Sequence, residues 1–155
     1  MTLSSYGLSL VLAIIACVIG GAQGGLTLVR PGSVLGLTAL EDDEGDESAP
    51  PAAGPRSEGR ALGGLLILSH ATAALFLGYQ SNVGAAMAFA LAMAWLGAAL
   101  GRAVSALVDR TPADQARSRF NIGSLAFEIM IAATLALPFF NAGRLVVLRG
   151  HGMLV

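Results

Sequence analysis

The chain is short of what a water-facing globule needs. Only 12% of its 155 residues are charged, about half of the roughly 25% found in an ordinary soluble domain. That supply cannot clothe a surface in water, so a freely soluble domain is excluded. Lysine is missing altogether: all nine basic residues are arginines. Against ten acidic residues they leave a net charge of −1, without the basic excess of a nucleic-acid binder, so no nucleic-acid partner is expected. The one cysteine, Cys17, rules out an internal disulfide framework. There is no CxxC, no HExxH, no phosphate-cradling glycine loop followed by Lys, and no nucleophile–base–orienter set. The chain is therefore expected not to be an enzyme.

What is abundant is uncharged apolar chain. A bilayer core about 30 Å thick takes roughly 20 apolar residues in a helix. Four runs qualify: 8–29, 61–79, 83–108 and 122–143. The second carries His70 near its middle, the third is interrupted by Arg102, and the fourth contains Glu128. Backbone amides in lipid must bond within their own segment, and no strand alternation is present, so the runs are expected to be helices. The fold class is all-α, a four-transmembrane-helix bundle, read as one membrane domain over 1–155. The first run has no basic residue before it and is too long for the apolar core of a cleaved leader. Ile14-Ile15-Ala16-Cys17 loosely resembles a lipoprotein cleavage site, but the apolar run continues past Cys17, so a span is the preferred reading.

Loop arginines set the orientation. Arg30, Arg56, Arg60, Arg110, Arg117 and Arg119 fall in the first and third loops, and Arg144 and Arg149 on the side of the termini. The first and third loops are expected in the cytoplasm, with both termini and the Gln80-Ser81-Asn82 turn outside, in a bacterial inner membrane. Arg30-Pro31-Gly32 breaks the first helix, and Val34, Leu35, Leu37 and Leu40 offer a short apolar face at the interface. The acidic, Pro-rich stretch 41–58 cannot bury apolar surface against its ordering entropy and is expected to be a mobile loop. It reads as a solvated spacer, with docking of a basic partner as the alternative. Tyr6, Tyr79, Phe139 and Phe140 read as interface anchors, and Pro138 as a kink or an end of the fourth helix.

Small residues dominate the spans. Gly20/Gly24, Gly21/Gly25 and Gly97/Gly101 have GxxxG spacing, and alanines line the third run from 85 to 99. Small side chains let helix backbones approach closely where lipid supplies no hydrophobic drive. Packing inside the bundle is the first reading; docking against a larger membrane neighbour is the second.

Ionisable groups at membrane depth are costly and mark sites. At about 1.5 Å per residue, Glu128 lies about 9 Å beyond Ile122, and Arg102 sits near the cytoplasmic end of its run, so the two are placed to pair. Trp95, Arg102, Ser105 and Asp109 share a helix face, at steps of seven, three and four. With Glu128 they form a candidate polar cluster: a structural clamp between helices three and four, or a site for a lipid head group, a quinone head or a small anion. His70 has no second ligand in view, so no metal site is expected. Its first reading is a neutral ring bonded to a helix carbonyl or hydroxyl; a proton relay, or an axial ligand to haem or a chlorophyll-type pigment, is the second.

Several short motifs resemble a known pattern. They are Arg30-Pro31-Gly32-Ser33, Gly59-Arg60-Ala61 leading into Gly63-Gly64, Trp95-Leu96-Gly97, Leu100-Gly101-Arg102 with Ser105 and Asp109-Arg110, and Phe127-Glu128. Together they resemble a family of small four-helix bacterial membrane proteins of unknown function, with a layout similar to the DoxX-like proteins. The resemblance leaves out the acidic loop and the tail. It implies four spans, marks Arg102, Ser105, Asp109 and Glu128 as characteristic polar positions, and hints at respiratory or redox membranes; it supplies no activity. The resulting expectation is a non-catalytic accessory subunit, without a cofactor of its own, packed among membrane lipids and other integral membrane subunits of a respiratory or photosynthetic assembly. A lipid- or quinone-binding membrane protein and a redox component with His70 as a cofactor ligand are the alternatives.

Overall fold

The protein, seen in a computed structural model, is helical at every described residue but Arg30 and Gln80. The described residues are 5–30, 53–108 and 114–150 for the backbone, and 5–30, 57–104, 107 and 122–142 for side chains. Four helices follow one another: α1 (Ser5–Val29), α2 (Ala53–Tyr79), α3 (Ser81–Val108) and α4 (Asp114–Gly150). Each contains a segment long and apolar enough to cross a membrane: Ser5–Val29, Ser57–Tyr79, Ser81–Val104 and Ile122–Ala142. No strand occurs among the described residues. Only 22–33% of each span is buried inside the protein. Leu65, Leu68, Leu75, Leu100 and Val29 stand well exposed, which is untenable in water on this scale and normal for side chains whose solvent is acyl chain.

The helices run past the apolar segments that announce them. α2 begins at Ala53, so residues 53–58 of the expected loop are helical. The reason is local: Pro55 is only the third residue of α2, where its missing N–H would have had no helical partner. α4 begins at Asp114 rather than Ile122, since its polar first two turns can bond like any helix while lying outside the apolar span. Nor does Pro138 end α4, which continues to Gly150. Pro138 removes the N–H that would meet the Thr134 carbonyl, and its own ring is fully buried. The expected turn over Gln80-Ser81-Asn82 contracts to Gln80 alone, whose N–H donates to the Phe76 carbonyl at 2.8 Å and whose carbonyl accepts from Gly84 N–H at 2.9 Å. The interfacial segment 34–40, the acidic run 41–47, Asp109, Arg110 and the tail beyond Gly150 lie outside the described residues.

Contacts divide the helices into two compact units. The first joins Met1–Cys17 to Ala73–Val155. Its core takes Ala13, Ala16 and Cys17 from α1, Ala73 and Leu77 from α2, Ala88, Ala92 and Trp95 from α3, and Ile131, Ala132 and Leu135 from α4. The large knobs on α4, Ile131 and Leu135, stand one turn apart against mostly alanine-sized neighbours, the close helix packing that small residues permit. Gly84 tightens the α2–α3 hairpin: a Cβ there would lie 2.5 Å from Leu77 Cα and from the Phe76 carbonyl carbon. Phe89 stacks on Phe139 with centroids 4.5 Å apart and meets Phe140 edge-on. Tyr79, Phe139 and Phe140 are exposed, whereas the Tyr6 hydroxyl is buried and makes no hydrogen bond to a described residue.

The second unit is Val18–Thr72. Here α1 and α2 touch backbone to backbone. A Cβ on Gly24 would sit 2.8 Å from the Gly63 carbonyl oxygen, and one on Gly63 would sit 2.6 Å from the Leu28 nitrogen. Only glycine allows that approach.

Candidate functional site

Buried polar groups in lipid must find partners close by, and most here do so within their own helix. Ser9 Oγ donates to the Tyr6 carbonyl at 2.7 Å and Thr27 Oγ1 to the Gln23 carbonyl at 2.9 Å. His70, 1% exposed, places Nδ1 2.8 Å from the Leu66 carbonyl oxygen. A carbonyl only accepts, so the proton sits on Nδ1 and Nε2 is the acceptor nitrogen. Gly20 faces the Nε2 side of the ring, so close that a Cβ on Gly20 would overlap it.

Arg102 and Glu128 break the local pattern by bonding between helices. Each Cα–Cβ bond leans toward the N-terminus of its own helix. Arg102, near the C-terminal end of the α3 span, therefore leans back along the span. Glu128, near the N-terminal end of the α4 span, leans toward that same membrane face. They meet: Nε of Arg102 donates to Oε1 of Glu128 at 2.5 Å, with the arginine side chain 33% exposed and the carboxylate side chain 4%. A lone carboxylate at this depth would be expensive, and the guanidinium offsets much of that penalty. The second oxygen, Oε2, is buried and takes no hydrogen bond from any described residue. Beside the carboxylate, Phe127 meets Trp95 of α3 edge-on, with centroids 5.9 Å apart at 83°.

Of the polar cluster expected on α3 and α4, the structure brings Arg102 and Glu128 together and sets Trp95 against Phe127. The Ser105 side chain and Asp109 lie outside the described residues. Of the glycines at GxxxG spacing, Gly20 and Gly24 pack against α2, Gly21 is only grazed by His70 Cβ at 4.0 Å, and Gly25, Gly97 and Gly101 have nothing within 4 Å of a built Cβ. Gly63 and Gly84 were not anticipated as contact points. Gly63 had a signal, since Gly59 precedes it by four residues and both are buried; Gly84 had only its place just after a helix break. Among the described residues no group of three His, Cys, Asp or Glu side chains is placed to hold a metal ion.

The family described as a domain of unknown function, DUF4345, matches residues 7–138. That is most of the chain, and the protein belongs to this family. No curated protein and no solved structure matches it.

Proposed function

We propose that this DUF4345 member is a non-catalytic integral membrane subunit that docks, through the outer face of α3, against another membrane protein. One observation carries the reading. Ala90, Ala94, Gly97 and Gly101 recur at steps of four, three and four, which sets them on one face of α3, and all four are exposed. Gly97 and Gly101 look onto open space. A span surrounded only by lipid gains nothing from such a groove, whereas a second helix gains close van der Waals contact from it. The arginine-rich first and third loops support a bacterial inner membrane with those loops in the cytoplasm. The resemblance in layout to DoxX-like proteins favours a respiratory or redox membrane as the host. No cofactor is assigned to His70, because the Nε2 side of its ring faces Gly20 at close range.

Extraction from native membranes in mild detergent tests the reading. The chain is expected to migrate with another integral membrane polypeptide, and a Gly97→Leu/Gly101→Leu variant to migrate alone while keeping its helicity. A wild-type chain that leaves the membrane as a lone monomer refutes the proposal.

A second reading has its own observation. The buried Oε2 of Glu128, without a hydrogen bond from any described residue, beside a part-exposed Arg102, favours a binding site for a lipid or quinone head group between α3 and α4.

A further inference from the structure

The Arg102–Glu128 pair leaves hydrogen-bonding capacity of both kinds unused. A guanidinium carries five N–H donors in a planar fork. Only Nε is engaged by a described residue, and a third of the side chain is exposed. On the other partner, Oε2 is an acceptor without a donor among the described residues. The pair is thus oriented: the carboxylate grips the guanidinium by Nε, and its terminal nitrogens stay available for a ligand.

Charge decides what the ligand is. Among the described residues the site holds one positive and one negative group. An anionic head group would satisfy the arginine but add uncompensated negative charge beside a buried carboxylate, where the low dielectric magnifies repulsion. A cation would err in the opposite sense. A zwitterion gives each fixed charge its counterpart and leaves the sum at zero. Hydrogen bonding then narrows the class. Oε2 needs an N–H or O–H donor, and a charged donor gives the stronger bond. A quaternary ammonium has no N–H to give, whereas a primary ammonium has three. Arg102 lies six residues before the end of α3 at Val108, about 9 Å by helical rise, a depth from which a long arginine side chain reaches toward the level of phospholipid head groups.

We propose that the Arg102–Glu128 pair binds a zwitterionic phospholipid head group carrying a primary amine. Its phosphate accepts from the terminal nitrogens of Arg102, and its ammonium donates to Oε2 of Glu128. This rests on reading the pair as a ligand site and adds the ligand's class.

Native mass spectrometry of the delipidated full chain, with one lipid added at a time, tests it. Phosphatidylethanolamine is expected to be held roughly tenfold more tightly than phosphatidylcholine, a difference of about 1.4 kcal/mol, and more tightly than phosphatidylglycerol. Glu128→Gln should lower phosphatidylethanolamine to the phosphatidylcholine level, and Arg102→Met should weaken all three. Equal binding of the three lipids, a preference for phosphatidylglycerol, or an unchanged preference in a folded Glu128→Gln variant overturns the proposal. The wild-type lipid series decides alone if a variant does not fold. Soluble phosphoethanolamine should bind far more weakly than the lipid; equal affinity would make the free phosphoamine the ligand and overturn the lipid assignment. Retention of a quinone or of phosphatidylglycerol in preference would refute the class and leave the ligand site standing, whereas retention of nothing would refute both.

Discussion

Gly20→Ala should destabilise the protein even though alanine is the better helix former. A Cβ at position 20 would lie 2.9 Å from His70 Cε1 and closer still to Nε2 and Cδ2. The ring cannot simply swing away, because it is buried and its Nδ1 is held at 2.8 Å from the Leu66 carbonyl. Overpacking a well-filled site costs about 1–3 kcal/mol. If the ring yields, the hydrogen bond to Leu66 is lost, a further ~0.5–1.5 kcal/mol. Against this stands the glycine-to-alanine gain, at most about 1 kcal/mol. The net expectation is a loss of about 1–3 kcal/mol. Reversible unfolding in detergent micelles, followed by circular dichroism, measures it. Gly25→Ala is the control on the same helix: nothing lies within 4 Å of its Cβ position, so it should be neutral or slightly stabilising. His70→Ala in the Gly20→Ala background should recover part of the loss, because neighbouring substitutions couple. If Gly20→Ala and Gly25→Ala behave alike, the imidazole does not occupy the space that Gly20 leaves.

The four spans were legible because the membrane imposes a simple rule: about 20 residues without charge, bonded internally. The ends of the helices were not, because the rule counts apolar residues while hydrogen bonding ignores polarity. That is why α2 starts at Ala53 and α4 at Asp114. Pro138 does not end α4 for a related reason, since a proline deletes one donor without forbidding the turns beyond it. The meeting of Arg102 and Glu128 could be inferred from depth alone, as both sit near the same membrane face on consecutive helices. What the glycines touch could not. Gly20, Gly24, Gly97 and Gly101 share one spacing, yet the first two press on α2 and the last two face open space. Spacing sets which residues share a face; only the partner helix decides which face is covered. His70 shows the same limit, since its counterpart is a missing side chain at Gly20, and an absence leaves no mark in a search for ligands.

Three further outcomes follow from the same contacts. Gly84→Ala should cost about 3 kcal/mol, more than Gly20→Ala, because its Cβ would meet the backbone of Phe76 and Leu77 rather than a side chain; a loss under 0.5 kcal/mol in the same unfolding assay would refute the tight hairpin. Gly97→Ala and Gly101→Ala, with open space before them, should leave the stability of the isolated chain within about 0.5 kcal/mol of wild type. The last outcome concerns the ion pair and separates its net worth from the penalty of breaking it. Arg102→Met strands a carboxylate that is 4% exposed. Breaking a buried pair costs about 3–5 kcal/mol, and the one-third exposure of Arg102 puts the expectation at or below the lower end, since solvent already screens part of the attraction. Glu128→Leu added to Arg102→Met removes the stranded charge and should restore most of the loss, because an apolar pair of similar volume is often as stable as the ion pair it replaces. If the double variant is no more stable than Arg102→Met alone, the damage comes from lost packing along the arginine stem, and Glu128 is not the buried charge that the bond to Nε keeps tolerable.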